Sequence, residues 1–147
     1  MGGALKASAI IASILLYSTI VIGSFVKALD AGLACGTDWP TCNGYIIPPD
    51  LFSDRSVLLE YMHRLVGGLA SLFIIITFIY SMLYGRRQDK LLASITVLLI
   101  VVQVLLGMAV IKSYLDELIV ALHLSFATAS LVAASILAYS LATCKSS

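Results

Sequence analysis

Four long apolar stretches, joined by polar segments, set the pattern of this chain. Ala7 to Val26 carries no charge, and Leu91 to Ile111 carries none either. Val57 to Tyr84 holds Glu60, His63 and Arg64 near its start and then runs uncharged from Leu65 to Tyr84. Leu118 to Cys144 interrupts its apolar run with His123. Each stretch meets the ~20 residues that a ~30 Å hydrocarbon core requires. The pattern predicts helices over about 7–26, 57–84, 91–111 and 118–144. Two of the joints, Gly85 to Lys90 and Lys112 to Glu117, are short. An even number of helices with short joints predicts an all-α, integral membrane four-helix bundle, up-down-up-down, as one membrane domain over 1–147. The remaining joint, the outer loop 27–56, is long, and a loop of that length is usually functional or disordered. Its two cysteines, Trp39 and three prolines predict an ordered cap over the bundle mouth.

Composition supports the membrane reading. The 147 residues are 61% hydrophobic and 12% charged, more apolar surface than a soluble domain of this size hides. A lipid bilayer is therefore the expected surrounding. With a net charge of +1 and no basic run, nucleic acid is not an expected partner. The first stretch exceeds the ~7–15 residues of a signal-peptide core, so it reads as a retained helix. Lys6, Arg86, Arg87, Lys90 and Lys145 fall on one side, against Lys27, Arg55 and Lys112 on the other. That bias predicts both termini in the cytoplasm, with the long loop outside. Tyr17, Tyr84 and Tyr114 read as partial interface anchors near helix ends.

Candidate chemistry begins with the histidines. His63 and His123 are the only two, and both lie inside membrane-length stretches. An ionisable side chain in a bilayer rarely stands there without a polar or metal partner. Each falls about six residues into its predicted helix, ~9 Å deep at 1.5 Å per residue. Both helices run inward from the outer face, so the imidazoles meet at one level and suit a haem iron between them. The plainer alternative is two separate histidines, each bonded to a carbonyl or polar neighbour.

Other residues admit two readings each. Glu60 shares a face with His63 and is either an acid–base carboxylate beside a porphyrin edge or an interfacial group touching water or Arg64. Arg64 either pairs with a haem propionate or snorkels to the headgroups. Gly67 and Gly68 admit either a flat macrocycle or a neighbouring helix. Gln103, with Gly107 one turn on, is expected to face the bundle interior and meet another helix or a cofactor edge. Cys35 and Cys42 lie in the outer loop, where a disulfide persists, and a structural disulfide is preferred over a redox-active pair. Cys144 is read as a bystander. The histidine segments EYMHRLVGG and VALHLSFAT hint at a repeat of ligand depth more than of sequence.

These pieces together resemble the haem A synthase family. Val26 to Pro49 is similar to its first outer loop: Gly32–Leu33, the paired cysteines, Asp38–Trp39–Pro40, Asn43–Gly44 and Pro48–Pro49. Glu60, His63 and Arg64 resemble its E-x-x-H-R, Gln103 to Gly107 its Q-x-x-x-G, and His123 stands where a second ligand is expected. The likeness implies oxidation of a ring methyl of haem O to formyl, in successive steps through a hydroxymethyl stage. It implies His63 and His123 as iron ligands near the outer face, Glu60 as the catalytic carboxylate, and haem b as cofactor with haem O as substrate. Arg64, Gly67 and Gln103 would border the haem. Partners implied are a haem O synthase, an external electron acceptor and further copies of the chain. Typical members have two four-helix halves, one for a substrate haem and one for a cofactor haem; this sequence has one histidine pair, so a homo-oligomer is expected. Lys27, Asp30 and Ala31 depart from the usual loop. The rival reading is a non-catalytic bis-histidine membrane cytochrome b or haem carrier, and a third is an assembly subunit without cofactor.

Overall fold

A computed structural model describes residues 2–143; Cys144 and Lys145, read above as a bystander and a cytoplasmic charge, lie outside the described residues. The chain forms four helices: α1 Gly2–Ala28, α2 Arg55–Tyr84, α3 Arg87–Lys112 and α4 Glu117–Thr143. All four are long and apolar enough to cross a membrane. Among the described residues there is no strand, only an isolated bridge between Cys42 and Tyr45. The all-α bundle expected from hydropathy is therefore what the chain adopts.

The helices run past the edges of the uncharged stretches. An apolar count stops at the first charge, whereas a helix ends where its backbone donors and acceptors find other partners. Asp54 caps α2, its carboxylate accepting from the Ser56 and Val57 amides at 2.8 and 3.3 Å. Asp116 does the same for α4, accepting from Leu118 and Ile119, both at 3.1 Å. Such caps typically contribute about 1 kcal/mol each. Tyr84 ends α2 and Tyr114 follows α3, but Tyr17 lies mid-way along α1 with its ring exposed. The expectation of Tyr17 as a helix-end anchor is corrected: it stands near the middle of α1.

Each helix packs on its chain neighbours, and α1 closes the ring on α4. Consequently α2 and α4 stand diagonally across the bundle. The half of the bundle away from the long loop is filled. Ala9 and Ala12 of α1, Ala70 of α2, Ala93 of α3 and Ala134 of α4 are all buried, with Leu16, Ile74 and Ile100 between them. Small residues let membrane helices approach closely, where packing rather than water exclusion drives association. Most buried polar groups in this half are paired, Ser81 Oγ being an exception. Thr77 donates to Ser8 at 3.0 Å. Buried Asp89 accepts from Arg86 at 2.9 Å and from Ser140 at 2.6 Å. The opposite half widens beneath the loop into a cavity.

The loop is ordered by its own hydrogen bonds. Asn43 and Gly44 both have positive φ, 51° and 83°, between Cys42 and Tyr45, which exchange backbone bonds of 2.8 and 3.0 Å. This is a type I′ turn, whose geometry favours Asn-Gly. A disulfide joins Cys35 to Cys42, and both cysteines pack on Val57 in the first turn of α2.

Candidate functional site

The cavity lies between the four helices at the capped end. It encloses about 270 Å³, near the lower end of the ~300–1,000 Å³ typical of ligand pockets. His63 from α2 and His123 from α4 both line it, as do Glu60, Arg64, Gly67 and Gln103. Residues singled out in the sequence at separations of up to 63 positions, Glu60 to His123, thus converge on one space.

His63 is held by α1. Its Nδ1 lies 3.0 Å from the Thr19 carbonyl oxygen. A carbonyl only accepts, so Nδ1 carries the proton and the Nε2 lone pair is available. Gly23 makes the contact feasible: a Cβ there would stand 2.8 Å from His63 Cε1. Gly23 is four residues beyond Thr19, so its missing side chain uncovers that carbonyl to a second donor. His123 is held by α3. Its Nε2 lies 3.3 Å from Gln103 Nε2, and a Cβ on Gly107 would stand 3.3 Å from its Cε1. Nδ1 of His123 and Oε1 of Gln103 are buried without partners.

The two glycines of α2 divide their work. A Cβ at Gly67 would touch Thr19 at 3.4 Å, so this glycine lies against α1. At Gly68 a Cβ would meet nothing within 4 Å, so this one borders open space.

Glu60 is 3% exposed and fully engaged. Oε2 accepts from the Cys35 amide at 2.8 Å, while Oε1 pairs with Arg64 one turn on. Arg64 also donates to the Asp38 and Thr41 carbonyls at 2.7 and 2.8 Å, both inside the disulfide-closed loop. Of the readings open for Glu60, the ion pair with Arg64 is the one formed here, and Arg64 is turned to the loop rather than to headgroups. Lys112 donates to the Thr37 carbonyl at 3.2 Å. Leu115, at φ 67°, points its side chain to Gly32, where a Cβ would meet it at 3.0 Å. Leucine is uncommon in this left-handed region, so packing between the two loops holds it there.

Thr19 and Gly23 were missed in the sequence. The signal was present, since Thr19 and Gly23 repeat the spacing of Gln103 and Gly107. It went unread because the group that matters at Thr19 is a backbone oxygen.

Among the described residues no three His, Cys, Asp or Glu side chains gather to hold a bare metal ion. Two imidazoles from diagonal helices instead suit an iron whose other positions a porphyrin fills. The free space at Gly68 and the open Nε2 lone pair of His63 are consistent with that fit.

A family model described as COX15-CtaA, cytochrome oxidase assembly protein, matches residues 51–146. The match takes in Glu60, His63, Arg64, Gln103 and His123 and begins beyond the two loop cysteines. The chain is similar to the heme A synthase of Lysinibacillus sphaericus, 33% identical over 135 residues, which is 90% of this chain and 43% of that protein. It is 36% identical to the heme A synthase of Listeria welshimeri over 110 residues, 71% of this chain and 35% of the relative. Against that of Geobacillus thermodenitrificans it is 32% identical over 120 residues, 80% and 37% of the two chains. The chain spans less than half the length of these curated relatives. No solved structure matches it.

Proposed function

The chain belongs to the haem A synthase family, and on that ground we propose that it oxidises a ring methyl of haem O to a formyl group in successive steps through a hydroxymethyl stage. The observation that carries this reading is the convergence of His63, His123 and Glu60 on one cavity. A bound haem would supply redox chemistry at an iron that imidazole nitrogens can hold. His63 and His123 are the proposed ligands. His63 is suited to the task because its Nδ1–H is spent on the Thr19 carbonyl, the arrangement that orients metal-bound histidines generally. Glu60 is the proposed catalytic carboxylate. Its neighbours give it a defined position: Cys35 holds one oxygen and Arg64 the other. Arg64, Gly67 and Gln103 border the haem in this reading, with Arg64 also setting the direction of Glu60.

Each oxidation step removes two electrons, so an external acceptor belongs to the proposal. Haem O is the proposed substrate and haem b the proposed cofactor. One histidine pair holds one haem, and a second copy of the chain is the proposed source of a further site. A haem O synthase is the proposed supplier. The Lys/Arg bias supports termini in the cytoplasm and a haem site near the outer face, and the family likeness supports a prokaryotic cell membrane as its location.

The test is expression with a haem O producer in a host lacking haem A, followed by mass analysis of extracted haems. Hydroxymethyl and formyl products are expected. Glu60→Gln is expected to keep the Soret band and lose those products. A Glu60→Gln protein that forms as much product as the parent would remove Glu60 from the catalysis, while a parent that binds haem and forms neither product would favour the electron-carrying cytochrome b instead.

A further inference from the structure

The two helix pairs build similar nests for their histidines and finish them differently. On α1 and on α3 a residue and a glycine four places later face the ring of the next helix: Thr19 and Gly23 for His63, Gln103 and Gly107 for His123. At the first nest the anchor is a main-chain carbonyl, which engages Nδ1–H and leaves the Nε2 lone pair free. At the second it is a side-chain amide. Gln103 Nε2 bears only hydrogens, so it donates, and His123 Nε2 accepts. The proton of the neutral ring is then on Nδ1, which is buried and unpartnered, as is Gln103 Oε1. Two unmet polar groups in one nest make that arrangement easy to exchange for another. The 3.3 Å separation is also long for such a bond. His63 is thus ready to donate to a metal, whereas the equivalent lone pair of His123 is occupied.

We propose that His63 is the fixed ligand of the bound haem iron and His123 the exchangeable one, with Gln103 a positioning residue that competes with iron for His123 Nε2. The proposal rests on the haem reading above and deepens it. A site that admits a haem as substrate and releases it as product needs one side that lets go. Gln103 gives His123 somewhere to go when it leaves iron, so release does not strand a bare lone pair in an apolar cavity.

Ferric haem b added to the purified full chain in nanodiscs is the probe. Haem retained through gel filtration, the spin state of the iron, and the rate of carbon monoxide binding to the reduced form are read for the parent, His63→Ala, His123→Ala and Gln103→Leu. His123→Ala is expected to keep its haem in a high-spin form, while His63→Ala loses most of it. Gln103→Leu removes the competitor without removing a ligand. It is expected to raise the low-spin fraction and slow carbon monoxide binding about fivefold, since His123 must first leave the iron. Equal haem loss in the two histidine variants overturns the proposal, as does a Gln103→Leu protein with unchanged spin state and rate. A parent protein with no Soret band sinks the haem reading along with it. A parent that binds haem while its variants behave alike sinks the asymmetry and leaves that reading standing.

Discussion

Glycines along the cavity differ in what a single methyl group would meet, and that difference orders the expected effects of substitution. Alanine in place of a helical glycine gains roughly 0.5–1 kcal/mol from backbone entropy alone. At Gly23 the new Cβ falls 2.8 Å from His63, and such overpacking costs roughly 1–3 kcal/mol. The cost wins, so Gly23→Ala is expected to lower both the melting temperature and the haem content. At Gly68 nothing lies within 4 Å, so only the gain applies to the empty bundle. Gly68→Ala should therefore melt no lower than the parent without haem, yet bind haem more weakly, as read by Soret titration. A variant that binds haem with undiminished affinity would remove Gly68 from the haem surface. Residue identities alone could not have ordered these sites. His63, His123, Glu60 and Gln103 were legible because polar side chains stand out in apolar runs. Thr19 was not, since its contribution is a carbonyl that every residue possesses. Glu60 had neighbours at both i+3 and i+4, and only the placement of the loop decides that Arg64 takes one oxygen and the Cys35 amide the other.

Among elements, the loop over residues 29–54 depends most on a covalent link. Cys35 and Cys42 close a short ring, a constraint worth about 2–4 kcal/mol in typical cases. The same ring presents the Cys35 amide to Glu60 and the Asp38 and Thr41 oxygens to Arg64. Replacing both cysteines by serine is expected to leave far-UV helicity unchanged while the loop becomes open to protease and Glu60 loses its fixed direction. Unaltered proteolysis would mean that the Arg64 bonds and the Asn43–Gly44 turn hold the loop unaided. The four helices themselves were plain from hydropathy, but their ends were not. Arg55, Arg87, Lys112 and Glu117 continue helices beyond the apolar runs, because the hydrogen-bond ladder persists where lipid tails stop. The Asn43–Gly44 pair is a strong turn signal that the sequence carried openly, yet it registered only as part of a family resemblance.

At the scale of the whole molecule, the bundle is dense at one end and hollow at the other. Ala9, Ala93 and Ala134 close the dense end, and the Asp89, Arg86 and Ser140 bonds tie its rim. These groups are remote from the histidine cavity, which none of them lines. Asp89→Ala removes charge-assisted bonds and is expected to cost on the order of 2 kcal/mol of stability. The folded fraction should bind haem as the parent does; a changed Soret maximum in that variant would show that the two ends are coupled. Which end is hollow could not be read from composition, since small apolar residues occur along all four helices. It follows from the glycines opposite the rings and from the loop that roofs them.

The roof itself is fastened through its main chain. Thr37, Asp38 and Thr41 take part by their carbonyl oxygens, and the cations that hold them, Arg64 and Lys112, belong to the helices below. Side chains at those three roof positions are therefore free to drift so long as the backbone path is kept. A library randomised at 37, 38 and 41 should yield many working members, and one randomised at 64 and 112 very few.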